Sequence, residues 1–307
     1  MVQFIPTIHK LTRHSLYKME VIVSTDIAVL EAIVTAARRP QTYLSHAREA
    51  VSVARCALRY PLGLADTDIR GPGSGGDAGH HTPVILLHGY AHNRSGWYVL
   101  ERHLAKAGFS SVHTINYSPF RHDVPELAAR LADTVEALQR VTGIDRVHLV
   151  GHSLGGIIAR WYVQELGGDR HVATAVAIGS PHEGTVAAYA GPGRTASQLR
   201  PGSAVIRRLA EGACPSPVRW VAYYSNTDLL VQPSPSGMLR HPALGAVNIL
   251  AKDHGHLSLM LSPKVARSVV DQLEAAEGVP GVAPLAGLEK PARPVAARPR
   301  RAVSAPS

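Results

Sequence analysis

Cysteine is nearly absent from this 307-residue chain, which has only Cys56 and Cys214. Two thiols cannot make a disulfide framework, so a core rather than cross-links must hold the fold. Both are expected to be unpaired and buried. Long apolar runs are missing too: no stretch approaches 18 apolar residues without a charge, which argues against a membrane-spanning helix. Lys10, Arg13 and Lys18 precede Val21-Ile22-Val23, but Asp26 and Glu31 interrupt what would be the apolar heart of a signal peptide. No small-residue cleavage site follows, and Met19 is a second candidate start. The expected location is therefore cytoplasmic or peripheral to a membrane.

Acidic residues are scarce at the two ends. Residues 1–60 hold eight Lys/Arg against four Asp/Glu, and residues 278–307 hold five against one. Of the net charge of +9, only about one belongs to the middle. The basic ends are not interleaved with aromatics, which argues against nucleic acid. They leave open peripheral contact with an anionic membrane, with a solvated arginine-rich surface as the simpler reading. Oligomeric state is left open. His80-His81 and His88, His92, His103 lack ligand-like spacing, so neither metal nor cofactor is expected.

Four segments follow from the patterning. Residues 1–65 read as a helical extension, with helices over 25–38 and 41–59 broken by Pro40. Their simplest role is to pack on the body through an amphipathic face; a membrane-surface or cap element is the alternative. A Gly-rich linker spans 66–82, and a basic Pro/Ala/Arg tail over 278–307 lacks any apolar period and reads as disordered. Between them, residues 83–277 alternate strand-like and helix-like patterns. Strands are expected over 84–87, 112–117, 147–150, 172–178, 218–224 and 246–250. Helices are expected over 96–106, 124–142, 156–166 and 263–276. Leu127, Leu131, Val135 and Leu138 fall on one helical face. This alternation predicts an α/β fold with a mostly parallel central sheet and helices on both faces. Ligands of such sheets bind at the carboxyl ends of the strands.

The chemistry starts at Gly151-His152-Ser153-Leu154-Gly155, a G-x-S-x-G placed after a β-branched strand and before a helix. That setting forces a sharp turn and pushes the Ser153 hydroxyl above the sheet. A serine needs a base and an orienting acid, expected in the chain order Ser, acid, His. Asp228 follows the fifth strand and is the favoured acid, with Glu183 as its rival. His256 follows the sixth strand after a glycine and is the favoured base, with His254 as its rival. The Leu154 amide and the Tyr90 amide, the latter in the loop His88-Gly89-Tyr90 after the first strand, are placed to form an oxyanion hole.

Together, His88-Gly89-Tyr90, Gly151-His152-Ser153-Leu154-Gly155-Gly156, Ser180-Pro181-His182-Glu183-Gly184-Thr185, Asp228 and Gly255-His256 resemble the bacterial triacylglycerol lipase/esterase family of α/β hydrolases. The resemblance covers roughly residues 83–275. It implies the α/β-hydrolase fold, Ser153 as nucleophile, Asp228 as acid, His256 as base and an ester, small or lipid, as substrate. Residues 186–212 sit where this family carries a lid or cap, and their apolar character favours acyl chains. The expected reaction is ester hydrolysis through an acyl-enzyme. An acyltransferase or thioesterase on the same triad, a peptidase and a non-catalytic binding protein are the alternatives.

Overall fold

The computed structural model describes residues 40–64 and 82–278. The expected helix over 25–38, the linker up to residue 81 and the tail beyond Gly278 lie outside the described residues.

Among the described residues, strands β1 (Val84–Leu87), β2 (Val112–Ile115), β3 (Val147–His152), β4 (Val172–Ile178), β5 (Arg219–Tyr224) and β6 (Val247–Leu250) form one sheet in the order β2-β1-β3-β4-β5-β6. Every pairing is parallel. The helices are α1 (Pro40–Arg59), α2 (Tyr98–Lys106), α3 (Val124–Thr142), α4 (Leu154–Glu165), α5 (Gly193–Gln198), α6 (Ala204–Glu211), α7 (His256–Met260) and α8 (Pro263–Ala276).

Strand residues alternate between the two layers. Ile85 and Leu87 join α3 and α4 in one apolar cluster, while Val84 and Leu86 join α2 and α8 in the other. A strand buried on both faces must be apolar at every position, which is why β1 reads Val-Ile-Leu-Leu without alternation. Removing each such side chain from water stabilises the fold by about 1.5–3 kcal/mol. Helix α3 turns Leu127, Leu131, Val135 and Leu138 into the first cluster, as their spacing requires. Its start is fixed by a capping box between Asp123 and Glu126, and its end by Gly143 in the left-handed conformation.

Three local expectations are corrected. Strand β2 stops at Ile115 because the Asn116 side chain leaves the ladder, donating to the Gly63 carbonyl at 2.7 Å and accepting from the Arg94 N–H at 3.0 Å. The helix expected from residue 96 begins as a 3-10 turn, Arg94–Trp97, because Asn93 accepts the Ser95 N–H and sets the chain's entry. Cys56 is buried and unpaired, but Cys214 is exposed.

Helix α1 packs on the body through one face, which is mostly polar. Its inward face is Ser45, Glu49, Ser52 and Cys56, of which Ser45, Ser52 and Cys56 are buried. Leu44, Val51 and Leu58 are exposed among the described residues.

Candidate active site

Strand β3 runs into Ser153, whose φ of 53° and ψ of −116° place a non-glycine residue in a strained turn. The turn is possible because its neighbours lack side chains. A Cβ on Gly151 would lie 2.4 Å from the Gly155 carbonyl carbon, and one on Gly155 would lie 2.1 Å from the Leu87 carbonyl oxygen. The Ser153 N–H is held by the Ile178 carbonyl at 2.9 Å. Leu154, the first residue of α4, belongs to the helical turn whose N–H groups have no carbonyl one turn earlier to bond.

The loop after β5 brings Asp228 under this turn's neighbour, α7. One carboxylate oxygen accepts the Leu230 and Val231 N–H groups at 2.8 and 3.0 Å, and the other lies 2.8 Å from His256 Nδ1. Both side chains are buried. With its Nδ1–H given to the carboxylate, the His256 ring keeps Nε2 as an acceptor. Burial alone would lower the His256 pKa, but the charge and hydrogen bond of Asp228, with the charge of Glu49, outweigh it and raise the pKa.

The rivals go elsewhere. His254 bonds to the Lys252 carbonyl and the Ser262 hydroxyl. Glu183 is half exposed and lies 3.5 Å from Arg240.

The His88-Gly89-Tyr90 loop is fixed from behind. His88 Nδ1–H donates to the Gly89 carbonyl, and Nε2 accepts the Tyr117 N–H at 3.3 Å. The ring stacks on Tyr117 at 4.0 Å, and the Tyr117 hydroxyl donates to the His88 carbonyl. Burial pushes the His88 pKa down to about 4, so the ring stays neutral in this role. A Cβ at Gly89 would lie 3.1 Å from Ser153 Cβ, which puts the loop directly against the serine. Tyr90 follows, its hydroxyl donating to the Pro192 carbonyl and its ring meeting Phe120 edge-on at 5.2 Å.

Ser153, His256 and Tyr90 line one cavity of about 250 Å³. Its far wall is apolar and comes from Ala187, Ala188, Ala196 and Leu199, within the segment expected as a cap, and from Leu230. Leu199, Val205 and Leu209 of that segment also pack into the main cluster.

Three supports of this site rest on contacts that the sequence does not reveal, although His152 and Thr185 belong to its motifs. His152, next to the serine, places Nε2 3.1 Å from the His256 carbonyl. Thr185 donates to the Leu230 carbonyl and accepts the Gln232 N–H, tying the Pro-His-Glu-Gly-Thr loop to the Asp228 loop. Arg160, buried on α4, donates to the His182 carbonyl at 3.2 Å and the Leu209 carbonyl at 2.8 Å. None of these contacts has a local sequence signal.

Among the described residues, no three His, Cys, Asp or Glu side chains converge as a metal site, and no helix is long and apolar enough to cross a membrane.

A family model described as the alpha/beta hydrolase fold matches residues 82–198. That span holds the Tyr90 loop and the Ser153 turn, and ends before Asp228 and His256. Triacylglycerol lipases of Pseudarthrobacter phenanthrenivorans and Burkholderia plantarii are each 33% identical over 111 residues, which is 34% of this chain and 34% and 30% of theirs. The match thus spans about a third of the length of these relatives. Among solved structures, lipase B of Aspergillus fumigatus superposes with a TM-score of 0.56 at 21% identity, covering 67% of this chain and 55% of its own. The mature Bacillus licheniformis lipase BlEst2 gives a TM-score of 0.54 at 16% identity, covering 67% and 95%. At these identities the superpositions speak for the fold.

Proposed function

We propose that this chain, which has the α/β-hydrolase fold over its matched region and is similar to bacterial triacylglycerol lipases over 111 residues, hydrolyses carboxylic esters through an acyl-enzyme on Ser153. The observation that carries this reading is the 2.8 Å contact between His256 Nδ1 and Asp228, beside a cavity that His256 shares with Ser153.

His256 Nε2 takes the hydroxyl proton as Ser153 Oγ attacks the ester carbonyl. Asp228 holds the ring in the Nδ1–H tautomer and stabilises the imidazolium that forms. The Tyr90 and Leu154 N–H groups receive the oxyanion; a single donor of this kind is worth about 3 kcal/mol in the barrier. His256 then returns the proton to the departing alcohol. Water repeats the sequence on the acyl-enzyme, releasing the acid and regenerating Ser153.

The cavity supports a choice of substrate. At about 250 Å³ it lies below the ~300–1,000 Å³ usual for small-molecule pockets, and its wall beyond the serine is apolar. We assign it to a short or medium acyl chain, with residues 186–212 as the cap. The relatives' name, triacylglycerol lipase, supports an acyl ester.

The test is an acyl-length series of p-nitrophenyl esters, with and without an oil–water interface, on the protein and its Ser153→Ala variant. Expected are an optimum at short or medium chains, no interfacial activation and no turnover by the variant. Full hydrolysis by Ser153→Ala, or a fluorophosphonate adduct on another residue, would sink the ester-hydrolase reading. An optimum at long chains appearing only at an interface would overturn the substrate assignment.

A further inference from the structure

Helix α7, which carries His256 as its first residue, starts without a cap of its own. Its N-cap is Gly255, which has no side chain to accept the N–H groups that open a helix. Those N–H groups are nevertheless paired. Glu49, on α1, accepts the Leu257 N–H on one carboxylate oxygen at 2.7 Å and the Ser258 N–H on the other at 2.8 Å. These are the second and third residues of α7, where an N-cap oxygen would normally act. Gly255 is what lets the carboxylate in: a Cβ there would lie 2.4 Å from a Glu49 carboxylate oxygen.

The same helix holds the acid's loop. Ser45 Oγ lies 2.7 Å from Thr227 Oγ1, the residue before Asp228, and Thr227 in turn donates to the His254 carbonyl at 2.9 Å. Arg48 donates to the Asp253 carbonyl at 2.7 Å. Ser45, Arg48 and Glu49 of α1 therefore grip the loops after β5 and β6, the two that present Asp228 and His256. Side-chain caps stabilise helix starts, and bonds to a charged acceptor are the strong ones among them.

We propose that Glu49 is a positioning residue for the base: a carboxylate from outside the region matched by the family model that caps the His256 helix and so holds the imidazole between Asp228 and Ser153. This rests on His256 acting as the base. Its second effect is electrostatic. The charged or titratable groups that act on the imidazole are Asp228, Glu49, His152 and His92. Glu49 adds to the raising action of Asp228, while the two neighbouring histidines are held toward their neutral form, chiefly by burial.

The experiment compares the full chain with Glu49→Ala, Glu49→Gln and, as a control on the same helix, the exposed Arg55→Ala. Four readouts are taken: kcat and KM on a soluble ester, the acid limb of the pH–rate profile, the His256 titration by NMR, and amide exchange at Leu257 and Ser258. Glu49→Ala should lose at least about tenfold in kcat with little change in KM, as expected for losing two charge-assisted bonds. Its acid limb and its His256 titration should both move to lower pH, and the two amides should exchange faster. Glu49→Gln keeps the shape and one acceptor, so it should recover part of kcat while its titration stays shifted like that of Glu49→Ala. Arg55→Ala should match the parent throughout. The proposal is overturned if Glu49→Ala, measured per folded molecule, keeps the parental kcat, acid limb and His256 titration, even with a lower melting temperature. If Ser153→Ala itself hydrolyses the ester, the hydrolase reading fails separately, and the titration and amide exchange still decide the role of Glu49.

Discussion

His152 Nε2 lies 3.1 Å from the carbonyl oxygen of His256, so the residue next to the proposed nucleophile holds the backbone of the proposed base. The two rings also tilt against each other at 4.7 Å between centroids. Burial, and then the neighbouring His256, keep the His152 pKa well below the usual histidine range, so it serves as a neutral donor. His152→Ala should lower kcat about tenfold, the worth of one hydrogen bond at the strong end of its net range. His152→Gln, whose Nε2 can reach the same carbonyl, should recover most of it. Steady-state kinetics on a soluble ester checks both.

Asp228→Asn separates geometry from charge. The amide oxygen can still accept the Leu230 and Val231 N–H groups, so the loop keeps its shape. The NH₂ then faces His256 Nδ1 and turns the ring to the wrong tautomer. The expected loss is about 10⁴-fold in kcat with an unchanged melting temperature. Labelling of Ser153 by a fluorophosphonate should slow in parallel.

For His256 itself, the pH dependence of the rate and of its contribution to stability should run in opposite senses. His256 must be neutral to accept a proton and its pKa is raised, so the acid limb of the rate should have its midpoint above pH 6.5. As a stability term, His256 contributes fully below pH 6.5 and its contribution is lost as pH rises through the folded pKa. His88, at about 4, behaves inversely: its contribution is present above pH 6.5 and lost as pH falls from there toward 4. That span is worth on the order of 3 kcal/mol. The depressed His152 and His182 act in the same direction as His88. Urea unfolding at pH 7.5, 6.0 and 5.0 should therefore show stability falling with acid, and His88→Gln should flatten the slope.

Ala196, on α5, faces the cavity and is nearly inaccessible to solvent. Ala196→Leu should fill the space beyond the serine. Each methylene that no longer fits is worth about 1–3 kcal/mol, so kcat/KM for an octanoyl ester should fall at least roughly tenfold relative to a butyryl ester. An unchanged chain-length profile would remove this wall from the acyl site.

Arg160 ties α4 to two other parts of the chain. Its guanidinium, pushed down by burial to a pKa of about 10, remains charged at neutral pH and serves the His182 and Leu209 carbonyls. Leu209 lies in the last turn of α6, where a cation also suits the helix dipole. Arg160→Ala should cost about 2–3 kcal/mol in urea unfolding, the worth of a charged donor removed from buried acceptors.

Where the determinants were local, the sequence was sufficient. The four apolar residues of β1 and the Ser262-Pro263 start of α8 each announce an element whose bounds the structure repeats. The elbow was readable because its glycines face backbone a few residues away or on the adjacent strand. For the base the sequence favoured His256 over its rival His254 two residues away, and the fold is what brings His256 to Asp228. Helix α1 shows a related effect. Ser45 and Glu49 point inward because their partners, Thr227 and the α7 amides, lie about 200 positions later. No window along the chain contains both halves of such a contact.

That separation also orders events in time. Glu49 is made 208 residues before Leu257, an interval of roughly 10–40 s at ordinary rates of synthesis. Throughout it, the growing chain can hold Ser153, and later Asp228, without the proposed base His256. The capping carboxylate waits on its helix for amides that do not yet exist. Once Leu257 and Ser258 are made, one contact can close between α1 and α7. On the proposed reading, a polypeptide interrupted before that point would carry Ser153 without its base.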